Sequence, residues 1–246
     1  MMLVHDRSAL PSVLKQLRNE GVKPKIVGSG SSLVVRAGGV HGVFVKLGTD
    51  FSYVESTPEG CWVGASTPVA AIADAPSLRG RETVFARFVG AGTIAGALFR
   101  REAITRYVDA IITLLRGKEV IVPFNYNEPP KLGVVMAVHL RSHVEDQVEL
   151  AWGSVPSSRF EGAWWQTEDR AALQQLMRDA GVSGVRLRSV GVPKAEPDVI
   201  VSYSAQGAED VALLERSIVD LVYRKTGIKL TPAKRWIGRN KERNHG

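Results

Sequence analysis

Two glycine-rich turns constrain this chain more than any other feature. Gly28-Ser-Gly-Ser-Ser32 follows the apolar run Lys25-Ile-Val27, and Gly90-Ala-Gly-Thr-Ile-Ala-Gly-Ala97 opens a helical stretch. Glycines let backbone N–H groups converge on a concavity and let a bulky anion approach the main chain. Two such turns, far apart in sequence, suit the two ends of one long phosphate-containing ligand such as a dinucleotide. Neither turn is a nucleotide fingerprint. Leu33 stands where the third glycine of G-x-G-x-x-G belongs, and no G-x-x-x-x-G-K-[ST] run occurs. Taken alone, each turn reads first as a plain connection between strands.

The order of features along the chain carries more. The Gly-Ser turn leads to a strand, then to Gly38-Gly-Val-His-Gly42 and a second strand, Val43-Phe-Val-Lys-Leu47. Val63-Gly-Ala-Ser-Thr-Pro-Val-Ala-Ala-Ile-Ala73 is a strand-to-helix element, and Gly92-Thr-Ile-Ala-Gly-Ala97 a second glycine turn. Leu173 to Gly184 and Gly227-Ile-Lys-Leu-Thr-Pro-Ala-Lys-Arg-Trp-Ile-Gly238 close the series. In order and spacing this resembles the UDP-N-acetylenolpyruvoylglucosamine reductases (the MurB family), from about residue 3 to residue 238. The resemblance implies an α+β protein with an FAD-binding fold of the PCMH/MurB-like type. Two N-terminal flavin subdomains would cover 1–48 and 49–142, and a C-terminal α+β substrate-type domain 143–246.

Composition fits an enzyme-sized globular protein. The chain has 246 residues, 44% of them hydrophobic, enough for a substantial core. Its longest apolar runs, such as Val134 to Val138, are strand-length and far below the roughly 20 residues of a membrane span. No membrane insertion is expected. His5, Asp6 and Arg7 interrupt any signal-peptide pattern, so the expected compartment is cytoplasmic. Cys61 is the only cysteine, which excludes an internal disulfide and reads as a small core residue. The formal charge of +7 favours an anionic partner. No RNA- or DNA-binding signature accompanies it, so no specific nucleic acid is expected. The basic tail from Lys234 to Arg243 reads as a solvated end.

Apolar spacing at Leu10, Val13, Leu14 and Leu17 predicts a helix over 8–20, ended by Gly21. Strands are expected near 25–27, 33–35, 43–47 and 61–64, with a further one over 50–55 and a short helix over Pro68–Ala75. The pattern is helical from Gly92 to Tyr107. Ala110–Leu115 and Glu119–Val122 read as a hairpin around Gly117, and Leu132–Leu140 as a strand. Later come a helix over 168–180, strands near 184–188 and 199–203, and an amphipathic helix from Ala208 to Lys225. Trp164 and Trp165 read as core, with a cleft-lining role as the alternative. His5, His41, His139, His143 and His245 have no metal-ligand spacing; no metal site is expected, and His139 reads as a surface or capping residue.

The chemistry implied by the resemblance is hydride transfer from reduced flavin to an enolpyruvyl carbon, with NADPH as electron donor and a UDP-sugar as substrate. In that family an arginine and a glutamate stabilise the resulting enolate, and a serine supplies a proton. A developing anion needs fixed positive or proton-donating groups. Ser158, in Ser157-Ser-Arg-Phe160, is the candidate proton donor. At the glutamate's place stands Ala233, whose methyl group can neither donate a proton nor carry charge. At the arginine's place stands Asn127, which offers a hydrogen bond but no cation. The family's substrate-side His-Asn pair is missing, and Glu128 and Glu161 are the nearby carboxylates that remain.

On the flavin side Gly28, Ser29, Gly30, Ser31, Ser32, Gly92, Thr93 and Gly96 are the candidate cofactor residues, with FAD the implied cofactor. Ser32 replaces an asparagine, Ala91 a proline and Ala95 a glycine of the family pattern. The expectation is a MurB-like protein of peptidoglycan precursor synthesis, weakly active or inactive. Two alternatives stand beside it. One is a non-catalytic structural or regulatory partner of cell-wall proteins that binds no flavin; the other is a basic nucleotide-binding protein.

Overall fold

The computed structural model describes residues 1–72, 92–100, 103–125, 133–141, 164–167, 169–204 and 207–239. The chain divides into two compact units, Met1–Ser31 with Gly42–Ser158, and Ser32–His41 with Arg159–Gly246. Strands β1 (Met2–Val4), β2 (Lys25–Val27), β3 (Leu33–Val35) and β4 (Phe44–Leu47) open the chain, with helix α1 (Leu10–Asn19) after β1. In the first unit β4 lies between β1 and β2, parallel to both. Leu10, Leu14 and Leu17 bury one face of α1, as the spacing predicts. Pro11 sits at the helix start, where its missing N–H costs nothing.

A five-stranded antiparallel sheet completes the first unit. Its strands are β5 (Val54–Ser56), β6 (Gly60–Gly64), β7 (Val108–Leu115), β8 (Lys118–Pro123) and β9 (Val134–Arg141), in the order β5-β6-β9-β7-β8. The short helices α2 (Val69–Ile72) and α3 (Ile94–Arg100) lie between β6 and β7 in the chain. Central β9 is buried from Val135 to Leu140, which explains its apolar sequence, broken only by His139. The β7–β8 turn places Arg116 at φ 48° and Gly117 at φ 82°, the backbone a two-residue hairpin needs. The expected strand over 50–55 is corrected. Thr49–Phe51 forms a 3-10 turn that buries Phe51 completely, and only Val54–Ser56 is extended.

In the second unit β3 pairs in parallel with β13 (Arg235–Ile237), and β10 (Arg186–Leu187), β11 (Val190–Gly191) and β12 (Val201–Ser202) form an antiparallel meander. The tail is therefore not a solvated end at Arg235–Ile237: these residues are paired along their backbone. Two helices cover this unit's core, α4 (Arg170–Asp179) and α5 (Ala208–Thr226). Asp169 caps α4 by accepting the Ala172 N–H at 3.0 Å. Gly227, at φ 74°, closes α5 with a left-handed cap. Trp164 and Trp165 are core residues, 6% and 1% exposed.

One polar knot holds the α4 end of this core. Asp198 is fully buried, and its carboxylate accepts from Arg170 Nε at 2.6 Å and from Gln174 Nε2 at 2.6 Å. Its carbonyl accepts the Trp164 N–H at 2.8 Å. No described helix is long and apolar enough to cross a membrane.

Candidate functional site

The two glycine turns meet within the first unit. A Cβ placed on Gly28 would stand 2.5 Å from Thr93 Oγ1, so glycine is required there by close approach. Gly30 is glycine for a different reason. Its φ is +82° while the space a Cβ would take is empty, so the backbone bends left-handed around an open position. Gly92 takes φ +104° directly before Thr93.

The hydrogen bonding of the two turns is unequal. At the start of α3 the N–H groups are committed within the fold: Ile94 donates to the Thr67 carbonyl at 2.9 Å and Ala95 to the Ala65 carbonyl at 3.2 Å. The Gly96 N–H donates to Thr93 Oγ1 at 3.3 Å, so Thr93 caps the helix with the hydroxyl that faces Gly28. At the other turn the Ser29 hydroxyl donates to Ser31 Oγ at 3.0 Å and accepts the Ser31 N–H at 3.3 Å. The Ser29 and Gly30 N–H groups have no acceptor among the described residues. A pair of open amides on a left-handed glycine bend is a small anion cradle. The residues present fit a pyrophosphate there, and when bound a flavin would supply the redox chemistry these side chains lack.

Ser32 leaves this group. It belongs to the second unit, where its carbonyl accepts the Arg235 N–H at 2.8 Å. Ala233 lies in the same unit, and the surrounding backbone is tied by hydrogen bonds. Its N–H donates to the Trp164 carbonyl at 2.7 Å, the Gln166 N–H donates to the Thr231 carbonyl at 2.8 Å, and Trp165 bridges Pro232. The Glu215 carboxylate on α5 accepts from both neighbouring indoles, Trp164 Nε1 at 2.5 Å and Trp236 Nε1 at 3.3 Å. Arg36 stacks on the Trp236 ring at 5.1 Å. Position 233 thus presents a methyl group from a backbone tied to Trp164. Asn127, Glu128, Ser158 and Glu161 lie outside the described residues.

One polar group corrects a sequence expectation. His139 is 8% exposed, not a surface residue. Its Nδ1 is 2.7 Å from Asp109 Oδ1 and its Nε2 2.9 Å from Thr57 Oγ1. The one available signal was a histidine inside an otherwise apolar central strand, which must find polar partners when buried. No group of three or more metal-ligating side chains occurs among the described residues.

Comparison with known proteins agrees with this architecture. No family model matches the chain. The UDP-N-acetylenolpyruvoylglucosamine reductase of Bacillus licheniformis is 22% identical over 86% of this chain and 78% of its own length. That of Geobacter metallireducens is 23% identical over 95% of this chain and 85% of its own length. Among solved structures, the UDP-N-acetylenolpyruvylglucosamine reductase of Thermus caldophilus superposes with a TM-score of 0.61 at 19% identity. That match covers 95% of this chain and 90% of the other.

Proposed function

We propose that this chain, a divergent relative of the UDP-N-acetylenolpyruvoylglucosamine reductases, binds flavin adenine dinucleotide at its glycine turns and has lost most of the reductive chemistry. The carrying observation is the contrast at position 233. The backbone there is held by the Trp164 carbonyl and flanked by two anchored tryptophans, yet the side chain is a methyl group. An enolate forming beside Ala233 would meet no acid from that position. Losing one stabiliser of this kind typically costs about 10²–10³ in rate. With Asn127 in the arginine's place, a second stabiliser is lost.

The cofactor part of the proposal rests on the expected residues of the first unit, Gly28, Ser29, Gly30, Ser31, Gly92, Thr93 and Gly96, without Ser32. The open Ser29 and Gly30 amides supply anion-binding groups. The ligand side follows the relatives' names: a UDP-sugar, with NADPH relevant only to residual turnover and Ser158 as the remaining proton donor. The three-part division into 1–48, 49–142 and 143–246 and a cytoplasmic location belong to the same proposal.

A second reading has one observation in its favour. The Ile94, Ala95 and Gly96 amides are consumed within the fold, as a purely structural turn requires. On that reading the chain binds no flavin and serves as a structural partner of cell-wall proteins. Absorbance and fluorescence titration with flavin adenine dinucleotide separates the two. Saturable binding that disappears in Gly30→Val, with the fold retained, supports the flavin reading; no binding by the unmodified protein overturns it.

A further inference from the structure

The buried histidine of the five-stranded sheet belongs to a second constellation, distinct from the glycine turns. His139, on central strand β9, pairs across the sheet with Trp62 on β6, whose ring centroid lies 5.1 Å from the imidazole. Asp109 lies where β7 slips register against β9, between the Val108–Leu140 and Ala110–His139 pairs. A bulge re-aims a side chain, and here the carboxylate is 2.7 Å from His139 Nδ1. A carboxylate in that position accepts, which places the imidazole proton on Nδ1 and leaves the Nε2 lone pair for Thr57. The Thr57 hydroxyl, 2.9 Å away on the β5–β6 turn, then donates to Nε2. The Gly60 N–H donates to the same threonine oxygen at 3.0 Å. Two residues beyond His139 on the same face of β9, Arg141 keeps a buried Nε–H without a hydrogen-bond partner among the described residues, 3.9 Å from Asp109 Oδ2.

We propose that Thr57, His139 and Asp109 form an acyl-transfer centre for carboxylic esters, with Arg141 beside the orienting carboxylate. Hydroxyl, base and orienting carboxylate stand in the order and at the spacings that activate a weak nucleophile. The Thr57 oxygen attacks the ester carbonyl carbon while its proton passes to His139 Nε2. The Gly60 N–H steadies the threonine oxygen as it loses that proton. The ester C–O bond breaks, and His139 returns the proton to the departing alkoxide oxygen. Water repeats the cycle on the acyl-threonine, releasing the carboxylic acid and restoring the hydroxyl. No oxidation or reduction occurs. Asp109 is a positioning residue, acting through the imidazole.

The test is hydrolysis of 4-nitrophenyl acetate by the full chain, with mass spectrometry to locate the acetyl group. Saturable hydrolysis above the buffer rate is expected, with acetyl on Thr57. Thr57→Val, nearly isosteric, should lower the rate by about 10²–10⁴-fold with an unchanged circular dichroism spectrum, while Thr57→Ser retains it. His139→Gln should match Thr57→Val, and Asp109→Asn should displace the pH–rate profile. Hydrolysis absent in the unmodified protein, unchanged in Thr57→Val, or traced to acetylated lysine alone would overturn the proposal.

Discussion

In the first unit the turn glycines are tied to backbone geometry, whereas in the second unit Ala233 is held through its main chain alone. Gly28 cannot accept a side chain because Thr93 Oγ1 is in the way, and Gly30 and Gly92 occupy left-handed conformations. Substituting any of them disturbs the fold locally whether or not a ligand binds. Ala233 carries no such constraint. Its hydrogen bond runs from the main chain to the Trp164 carbonyl, so any side chain that leaves this bond intact satisfies the local backbone. The difference teaches which positions the fold itself fixes: the turn glycines answer to backbone geometry, whereas position 233 asks only for its main-chain hydrogen bond.

The largest effect expected from breaking that comparison is in the second unit's frame. Arg170→Ala would leave the fully buried Asp198 carboxylate with Gln174 as its remaining charge-neutral donor. Removing one partner of a buried pair costs about 3–5 kcal/mol. Chemical denaturation should therefore show a large drop in midpoint. A change below about 1 kcal/mol would mean that the frame around Trp164 does not depend on this knot.

Next in size is the contact between the two turns. Gly28→Ala brings a methyl against Thr93 Oγ1 and should cost about 1–3 kcal/mol by overpacking. Thr93→Ala alone should cost about 1 kcal/mol through the lost helix cap. Because the two substitutions share one clash, the double variant should be more stable than the sum of the single losses. Strict additivity in the double-mutant cycle would show that the turns do not touch in solution.

Ala233→Glu sharpens the comparison from the other side. This half-buried position before β13 should accept glutamate, with stability changed by less than about 1 kcal/mol. On the proposed reading no reductase turnover appears, because Asn127 supplies no cation. Full activity from this single change would make Ala233 the sole lesion.

The smallest effect concerns pH. The Arg7 guanidinium donates to both oxygens of Glu119, at 2.8 and 2.6 Å, and holds its carboxyl below the ordinary value. A depressed folded-state value means the contribution is present above the unfolded carboxyl range and is lost as pH falls through the folded value. The pair is solvent-accessible, so its worth is below about 1 kcal/mol. Glu119→Gln should remove this acid-side dependence and leave neutral-pH stability nearly unchanged, as read from thermal melts over an acid series.

Much of the frame is legible in the sequence where the signal is local. Leu10, Leu14 and Leu17 announce α1, Gly117 announces the β7–β8 hairpin, and the apolar run 134–138 announces the central strand. What escapes a local reading depends on distant pairing. Arg235–Ile237 becomes a strand only because Leu33–Val35 lies beside it in parallel, a partner some two hundred residues away. His139 becomes a buried, satisfied residue only because a bulge at Asp109 turns a carboxylate towards it. In the candidate site the glycine turns were visible as composition. Their direct contact through Gly28 and Thr93 was not, since closeness between remote turns leaves no mark in either one.

The central claim is that the flavin turn persists while the reductive chemistry does not. It is tested most directly by steady-state NADPH oxidation, with the protein loaded with flavin adenine dinucleotide and the UDP-enolpyruvyl sugar present. The account predicts that flavin absorbance stays with the protein and that adding the sugar leaves NADPH oxidation at its sugar-free rate. Sugar-dependent turnover in the ordinary enzymatic range, roughly 1–10³ per second, would contradict it and place the stabilising charges on residues other than 127 and 233.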